Sequence, residues 1–363
     1  MRPVRTLLLF ACSAENTTFS YHQAWPRHFV SHPAFACTTI NVADRRWHSR
    51  LRSNGLARIW RGDLVVILHS VFSNSCLLAG PVFEAVSALK QPKAYFIGNE
   101  YKLMPEKMAF CDAMGVSLLV SQSSLPAVHD LYRHRLGCRV MGIPNTGLDP
   151  VLFQPRVPWS ERHIDLGYRA ADVPWYLGHN ERRELADFFS AKARHYGLTV
   201  DISLDPADRF AEPEWAAFLN DCRAQLGSEA GGDYFSLDDD LRLRVNDYVH
   251  QHPGVTIQDT HRRFFSGPPT GVPMRIMSGR NIEAAGTKTV QVLLEGRYDG
   301  YLEPDTHYIP LSKDFSNADD AMRKLRDPAF CGRLTEAAYQ VATDTLTYPK
   351  LISRFVEGVR PLL

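Results

Sequence analysis

Four short apolar runs in the first half of the chain, Leu7–Cys12, Asp63–His69, Ala94–Gly98 and Val116–Ser121, each end in a polar or glycine-containing turn. Runs of this kind are apolar on both faces, the pattern of strands buried on both sides in a parallel sheet. Parallel neighbours need a crossover, and the segments between the runs, such as Pro105–Met114, carry helical spacing. The layout is α/β and doubly wound, which excludes a helical bundle or an antiparallel sandwich.

A second series follows. His163–Tyr168, Leu198–Ser203 and Ala224–Leu226 read as strands, and Glu181–Tyr196 and Trp215–Leu219 as helical. Between the two series, Val140–Pro155 (VMGIPNTGLDPVLFQP) holds three prolines and two glycines in sixteen residues. Turn formers at this density mark a strand leaving one domain and a linker entering the next. The 363 residues suit two domains, expected over 1–150 and 151–345. Residues 233–279, with Asp238-Asp239-Asp240 and Ser266-Gly267-Pro268-Pro269, read as an irregular insertion in the second domain. The terminal 346–363 reads as a helix whose apolar positions 351, 352, 355 and 356 share one face.

Composition sets the compartment and the partners. Seven scattered cysteines form no C-x-x-C pair, which points to reduced thiols in the cytoplasm. The opening MRPVRTLLLFACSAE has an apolar stretch of only Leu7–Phe10, too short for an export signal, and nothing approaches a membrane-spanning run. Residues 1–155 carry 16 Lys+Arg against 9 Asp+Glu, a net +7, and the remainder 25 against 31, a net −6. A basic first half suits an anionic acceptor or membrane surface, although uneven placement of solvated charges gives the same numbers. Arg45–Arg61 holds six arginines with Trp47 and Trp60 interleaved, a face fitted either to anionic lipid or to plain solvent. No nucleic-acid motif accompanies it.

The linker I-P-N-T-G-L-D-P-V-L-F-Q-P resembles the interdomain segment I-P-N-G-V-D-x-x-x-F-x-P of GT-B glycosyltransferases, with one threonine inserted. Glu283-Ala284-Ala285-Gly286-Thr287-Lys288-Thr289 resembles their E-A-x-x-x-G-x-P segment. Glu295–Asn317 is similar to a segment of the bacterial spore-maturation-protein-like branch. The resemblance implies two Rossmann-like domains facing each other across a cleft, with the terminal helix crossing back to the first.

It also implies roles for residues. Glu283 opens a helix and takes both ribose hydroxyls of a nucleotide, one on each oxygen. The small residues Ala284 and Gly286 let the ligand approach, and Arg280, Asn281 and Thr287 complete that segment. A glutamate opening a helix also simply complements its dipole. In Gly178–Arg183, Arg182, ahead of Arg183, is implied to bind the diphosphate. Arg275 stands eight residues before Glu283, so the compact E-x-x-x-x-x-x-x-E pair of retaining members is absent. Glu229, followed by Gly231 and Gly232, resembles its first half, displaced by the insertion; a surface turn fits the same residues. His69 resembles the strand-end histidine near the sugar, though a buried core histidine reads alike. Glu100 is a candidate base for an inverting reaction, and the loop Ser13–Thr18 is expected to line the acceptor cleft.

The implied reaction moves a sugar from a nucleotide diphosphate sugar, UDP-sugar by default, to a glycan, lipid-linked or small-molecule acceptor in bacterial surface polysaccharide or glycoconjugate synthesis. Retention is favoured through Glu229 and Glu283. No cofactor or metal is obligatory: the Asp238–Asp240 run reads as a solvated turn, and His28 and His32 lack a third ligand. The expected location is the cytoplasm, peripheral to the inner face of the membrane if 45–61 engages lipid. Two further readings stand beside it, a nucleotide-sugar epimerase of the same fold and a non-catalytic sugar-nucleotide-binding or assembly protein.

Overall fold

The computed structural model describes residues 2–13, 20–44, 46–267 and 271–363. The chain forms two compact units: Met1–Asn145 with Phe235–Asp239 and Tyr348–Leu363, and Thr146–Tyr234 with Asp240–Thr347. The division between Asn145 and Thr146 falls inside I-P-N-T.

In the first unit the order is β1 (Val4–Phe10), α1 (Ser20–Ser31), β2 (Phe35–Asn41), α2 (Trp47–Ile59), β3 (Leu64–Ile67), α3 (Gly80–Ser87), β4 (Lys93–Phe96), α4 (Met104–Met114), β5 (Leu118–Ser121), α5 (Pro126–Leu136) and β6 (Arg139–Gly142). Among the described residues the six strands pair in parallel in the order β2-β1-β3-β4-β5-β6. β1 and β3 supply a continuous core, with Leu7, Leu8, Leu9 and Leu64 through Leu68 fully buried. Phe35–Asn41 was not expected as a strand. It lies at the sheet edge, and its partly exposed Cys and Thr positions break the apolar run that marks an interior strand.

In the second unit follow β7 (Ile164–Arg169), α6 (Glu181–Tyr196), β8 (Val200–Ser203), α7 (Glu212–Asp221), β9 (Cys222–Gly227), β10 (Ala230–Phe235), α8 (Asp240–Gln251), α9 (Ile257–Phe265), β11 (Val272–Ile276), α10 (Gly279–Gly286), β12 (Val290–Leu294), β13 (Ile309–Leu311), α11 (Ala318–Leu325) and α12 (Pro328–Thr345). The parallel sheet runs β13-β12-β9-β7-β8, and β10 pairs with β11 in a separate ribbon. The irregular insertion expected over 233–279 is corrected here: it carries the ribbon and two helices, with Thr256 capping α9 by accepting from Asp259 N–H. Its short elements and Pro-Gly turn hid that order; Pro268 and Pro269 lie outside the described residues.

Arg162 ties the second unit together. The residue is 2% exposed, and its guanidinium donates to the carbonyls of Val157, Leu219, Cys222 and Thr287 and to Thr289 Oγ1, at 2.8 to 3.4 Å. Burial pulls its pKa down to about 10.

The final helix, α13 (Tyr348–Val359), belongs to the first unit. Leu351, Ile352, Phe355 and Val359 are buried, so Val359 completes the face where the half-buried Val356 was expected. Phe355 packs on Phe29 and Phe96, with ring centroids 5.6 and 5.1 Å away. His28 stacks on Tyr348, and His32 lies 3.3 Å from Ser353 Oγ, so this histidine pair packs on α13.

Candidate donor site

The carboxyl ends of parallel strands are where doubly wound sheets place ligands. In the second unit these ends include Arg169 at the close of β7, Ser228-Glu229 after β9, Glu295–Tyr298 after β12 and Ser312-Lys313 after β13.

Glu283 lies on α10, buried at 6% exposure, and its Oε2 accepts from Trp215 Nε1 on α7 at 2.8 Å. The sequence places it at the start of a helix. The helix instead begins four residues earlier, where Asn281 Oδ1 accepts from Ser278 N–H at 3.0 Å. Complementing the first-turn dipole is therefore not what Glu283 does. Nor do its small neighbours clear space for a ligand. Ala284 is 2% exposed, and a Cβ on Gly286 would stand 2.4 Å from Leu148 and 2.8 Å from the Phe153 carbonyl. A Cβ on Gly279, at the other end, would meet Thr146 at 2.5 Å. The two segments that carry the resemblance pack on each other, and this contact explains the small residues.

Other expected site residues are also engaged. Asn281 Nδ2 donates to Gln291 Oε1, and fully buried Thr287 lies within bonding distance of the Glu283 and Ala284 carbonyls and of Thr289 Oγ1. Arg280 donates to the Arg169 carbonyl at 3.2 Å. Arg169 lies over Phe218 and Phe210, and Trp215 stacks on Phe218 at 5.7 Å, so an aromatic wall stands beside Glu283.

At the start of α6 the two arginines separate. Arg183 pairs with Asp172 on the surface, whereas half-buried Arg182 donates to the Ala171 carbonyl in the loop after β7. Beside them lies a charged cluster that sequence reasoning missed. Arg275 makes a two-pronged contact with buried Glu181 at 2.9 and 3.1 Å and also reaches Asp233, and Lys313 lies 3.0 Å from Glu181. Its members come from four segments, so no local spacing announces it. The only signal was Arg275 standing where the compact glutamate motif would begin. His179 Nε2 lies 3.0 Å from the Gly231 carbonyl, and burial with Arg275 nearby depresses its pKa to about 4. Neutral imidazole thus donates from Nε2, a tautomer assigned from this contact.

Glu229 follows β9 and is 9% exposed; its Oε1 accepts from Arg297 and Tyr298 N–H at 3.2 and 2.7 Å. It holds the turn after β12, where Tyr298, Asp299 and Gly300 have positive φ. Burial raises its pKa. Gly231 and Gly232 belong to β10 and pack on Met274 and Leu177.

In the first unit His69 is 3% exposed at the end of β3, close to the Tyr21 and His22 rings at 4.9 and 5.8 Å. Burial, then His22, holds its pKa well below the usual value, so the ring is neutral. Its Nε2 has no hydrogen-bond partner among the described residues. The nearby expectation for Ser13–Thr18 lies, from residue 14 on, outside them.

Glu100 is not placed as a solvent-facing base. It is 2% exposed and accepts from Ser121 Oγ, Gln122 N–H and Tyr132 Oη at 2.8, 2.6 and 2.6 Å. Burial outweighs these donors and lifts its pKa to about 7. The fold thus favours the protonated acid: its contribution is complete below about pH 4.5 and fades as pH rises through 7. We expect urea midpoints to fall over this interval in the wild type and to flatten in Glu100→Gln.

The Asp238–Asp240 run, expected as a solvated turn, is only partly so: Ser236 Oγ donates to Asp238, while Asp239 is buried and accepts from Leu103 N–H at 2.6 Å. No group of three or more His, Cys, Asp or Glu suited to a metal occurs among the described residues. Trp60, expected on a membrane-facing surface, is 7% exposed in the core, while the side chains of Arg45, Trp47 and Arg50 lie outside the described residues. No described helix is long and apolar enough to cross a membrane.

No protein-family model matches the chain, and no curated protein matches it in sequence. Solved structures match over nearly its whole length. Sucrose-phosphate synthase from Thermosynechococcus elongatus superposes with a TM-score of 0.54 at 9% identity, covering 99% of each chain. AviGT4, a glycosyltransferase involved in avilamycin A biosynthesis, gives 0.51 at 13%, covering 99% of this chain and 98% of its own. Anabaena HepE in complex with UDP-glucose gives 0.51 at 10%, covering 99% and 100%. The fold is the GT-B fold. At these identities the likeness speaks for architecture, so residue roles rest on the geometry above.

Proposed function

We propose that this protein is a glycosyltransferase whose second unit binds a nucleotide diphosphate sugar. The observation that carries the reading is the buried Glu283 carboxylate, oriented by the Trp215 indole beside an aromatic wall in a GT-B fold. Glu283 would accept the ribose hydroxyls, which is the use a carboxylate finds for two neighbouring O–H donors. The α6 amino terminus with Arg182 would meet the diphosphate. UDP is the favoured nucleotide, supported by the UDP-glucose that HepE holds. In the transfer the anomeric C–O bond to the diphosphate breaks, an acceptor hydroxyl oxygen bonds to that carbon, and its proton leaves to a base or solvent.

A non-catalytic sugar-nucleotide binder is the second reading, and one observation favours it. Glu100 and Glu229, the two carboxylates expected to do chemistry, each accept from backbone amides and are buried.

Calorimetric titration with the diphosphates of uridine, guanosine, adenosine, cytidine and thymidine tests both. Binding of one nucleotide, weakened about tenfold in Glu283→Gln, is the expected result, since that loss corresponds to roughly one charge-assisted hydrogen bond. No binding at millimolar concentration overturns the donor site. Nucleotide release that depends on an added acceptor then separates transferase from binder.

A further inference from the structure

The Glu181 carboxylate, at the start of α6, has two cationic partners of unequal freedom. Arg275 grips both of its oxygens, and Lys313 Nζ, from the end of β13, shares Oε1 at 3.0 Å. The Arg275 side chain is 11% exposed and also holds Asp233 at 2.7 Å, so it is fixed on two carboxylates. The Lys313 side chain is 54% exposed, and Glu181 is its one ion-pair partner among the described residues. If Lys313 let go, both oxygens of Glu181 would stay bonded to Arg275. An ion pair on so exposed a lysine holds weakly. The backbone at its root is fixed, with Ser312 N–H on Asn317 Oδ1 at 2.8 Å, so the flexible stem alone has to move.

A second observation points to a ligand at this place. His179, 6% exposed, directs its Nδ1 to 3.7 Å from Glu181 Oε2, and that nitrogen has no hydrogen-bond partner among the described residues. With Nε2–H given to the Gly231 carbonyl, Nδ1 carries a lone pair and faces a carboxylate that also only accepts. A donor is missing between them. The start of α6 thus gathers a movable cation, a buried acceptor short of a donor, and the first-turn amides of a sixteen-residue helix that the Asn180 side chain does not cap. A phosphoryl group esterified to a sugar meets all three needs: its oxygens take the ammonium and the amides, and a sugar hydroxyl supplies the donor.

We propose that Lys313 leaves Glu181 when the sugar nucleotide binds and pairs with its diphosphate, a role additional to that of Arg182. The proposal rests on the donor reading above. The exchange is favourable because a diphosphate carries more charge than the carboxylate released, and Arg275 keeps Glu181 and the ribbon in place.

The test is calorimetric titration of the full chain with the same nucleoside diphosphates, and with the nucleoside matching the one that binds, at low and high salt. Lys313→Gln should weaken the diphosphate about tenfold, the scale of one charge-assisted hydrogen bond, and flatten its salt dependence. Nucleoside binding and thermal unfolding of the empty protein should not change. Lys313→Arg, which keeps the charge, should recover most of the loss. Diphosphate binding by Lys313→Gln equal to wild type overturns the proposal and leaves the donor site standing. Equal loss of diphosphate and nucleoside with lower melting also overturns it, since Lys313 would then be a prop for the fold. If the wild type binds no nucleotide, the donor reading falls and this inference with it, a pattern distinct from either variant result.

Discussion

Arg162→Met should cost the second unit about 3–5 kcal/mol, because several buried acceptors lose a donor at about 1–3 kcal/mol each, partly offset by relaxation. Methionine fills much of the same tunnel, so the loss comes from acceptors left dry rather than from a void. The carbonyls of Val157, Leu219, Cys222 and Thr287 would each lose a donor in a site water does not reach. Arg162→Lys should fall between, because an ammonium has three donors on one atom and lacks the planar reach to acceptors on several sides. Urea unfolding of the three proteins measures this; a loss below about 1 kcal/mol for methionine would mean that the bonds are replaced or offset.

Gly231→Ala should be nearly as damaging, by about 3 kcal/mol, for a backbone reason. Gly231 has φ +82°, and a Cβ there would stand 2.0 Å from the Met274 carbonyl oxygen. A methyl must push β10 away from β11, and it moves the Gly231 carbonyl that lies beside His179. Arg275, on β11, would shift with it against Glu181. Thermal unfolding and nucleotide titration together check this, with lower melting and weaker binding expected; wild-type values for both would separate the ribbon from the site.

The parts of this fold that were legible from the sequence share one property: the information was local. Continuous runs such as Asp63–His69 are buried on both faces, so hydropathy alone finds them, and Glu181–Tyr196 coincides with α6 because its pattern persists over four turns. β2 was missed because an edge strand need not be apolar throughout. Glu283 stood out through its neighbours Ala284 and Gly286, yet the size of Gly286 answers to Leu148 and Phe153, more than a hundred residues earlier. The Glu181, Arg275, Asp233 and Lys313 cluster was invisible for the same reason, since its pairing exists only once the strand ends converge. Glu100 shows the converse error: a carboxylate after a strand resembles a base until Tyr132 and Ser121 are seen to enclose it.

Membership of α13 in the first unit bears on the order in which the protein is made. His32 and Ser353 meet across 321 residues of sequence, and Phe29 waits for Phe355. A ribosome delivers β1 to β6 first, then the entire second unit, and only afterwards the helix that closes the first core. During that interval Trp25, Phe29 and Phe96 lack part of their cover, a stretch of greasy surface on a nascent chain. The second unit is contiguous but for the short Phe235–Asp239 segment, so within this chain it is the earlier-made unit that waits on a later helix.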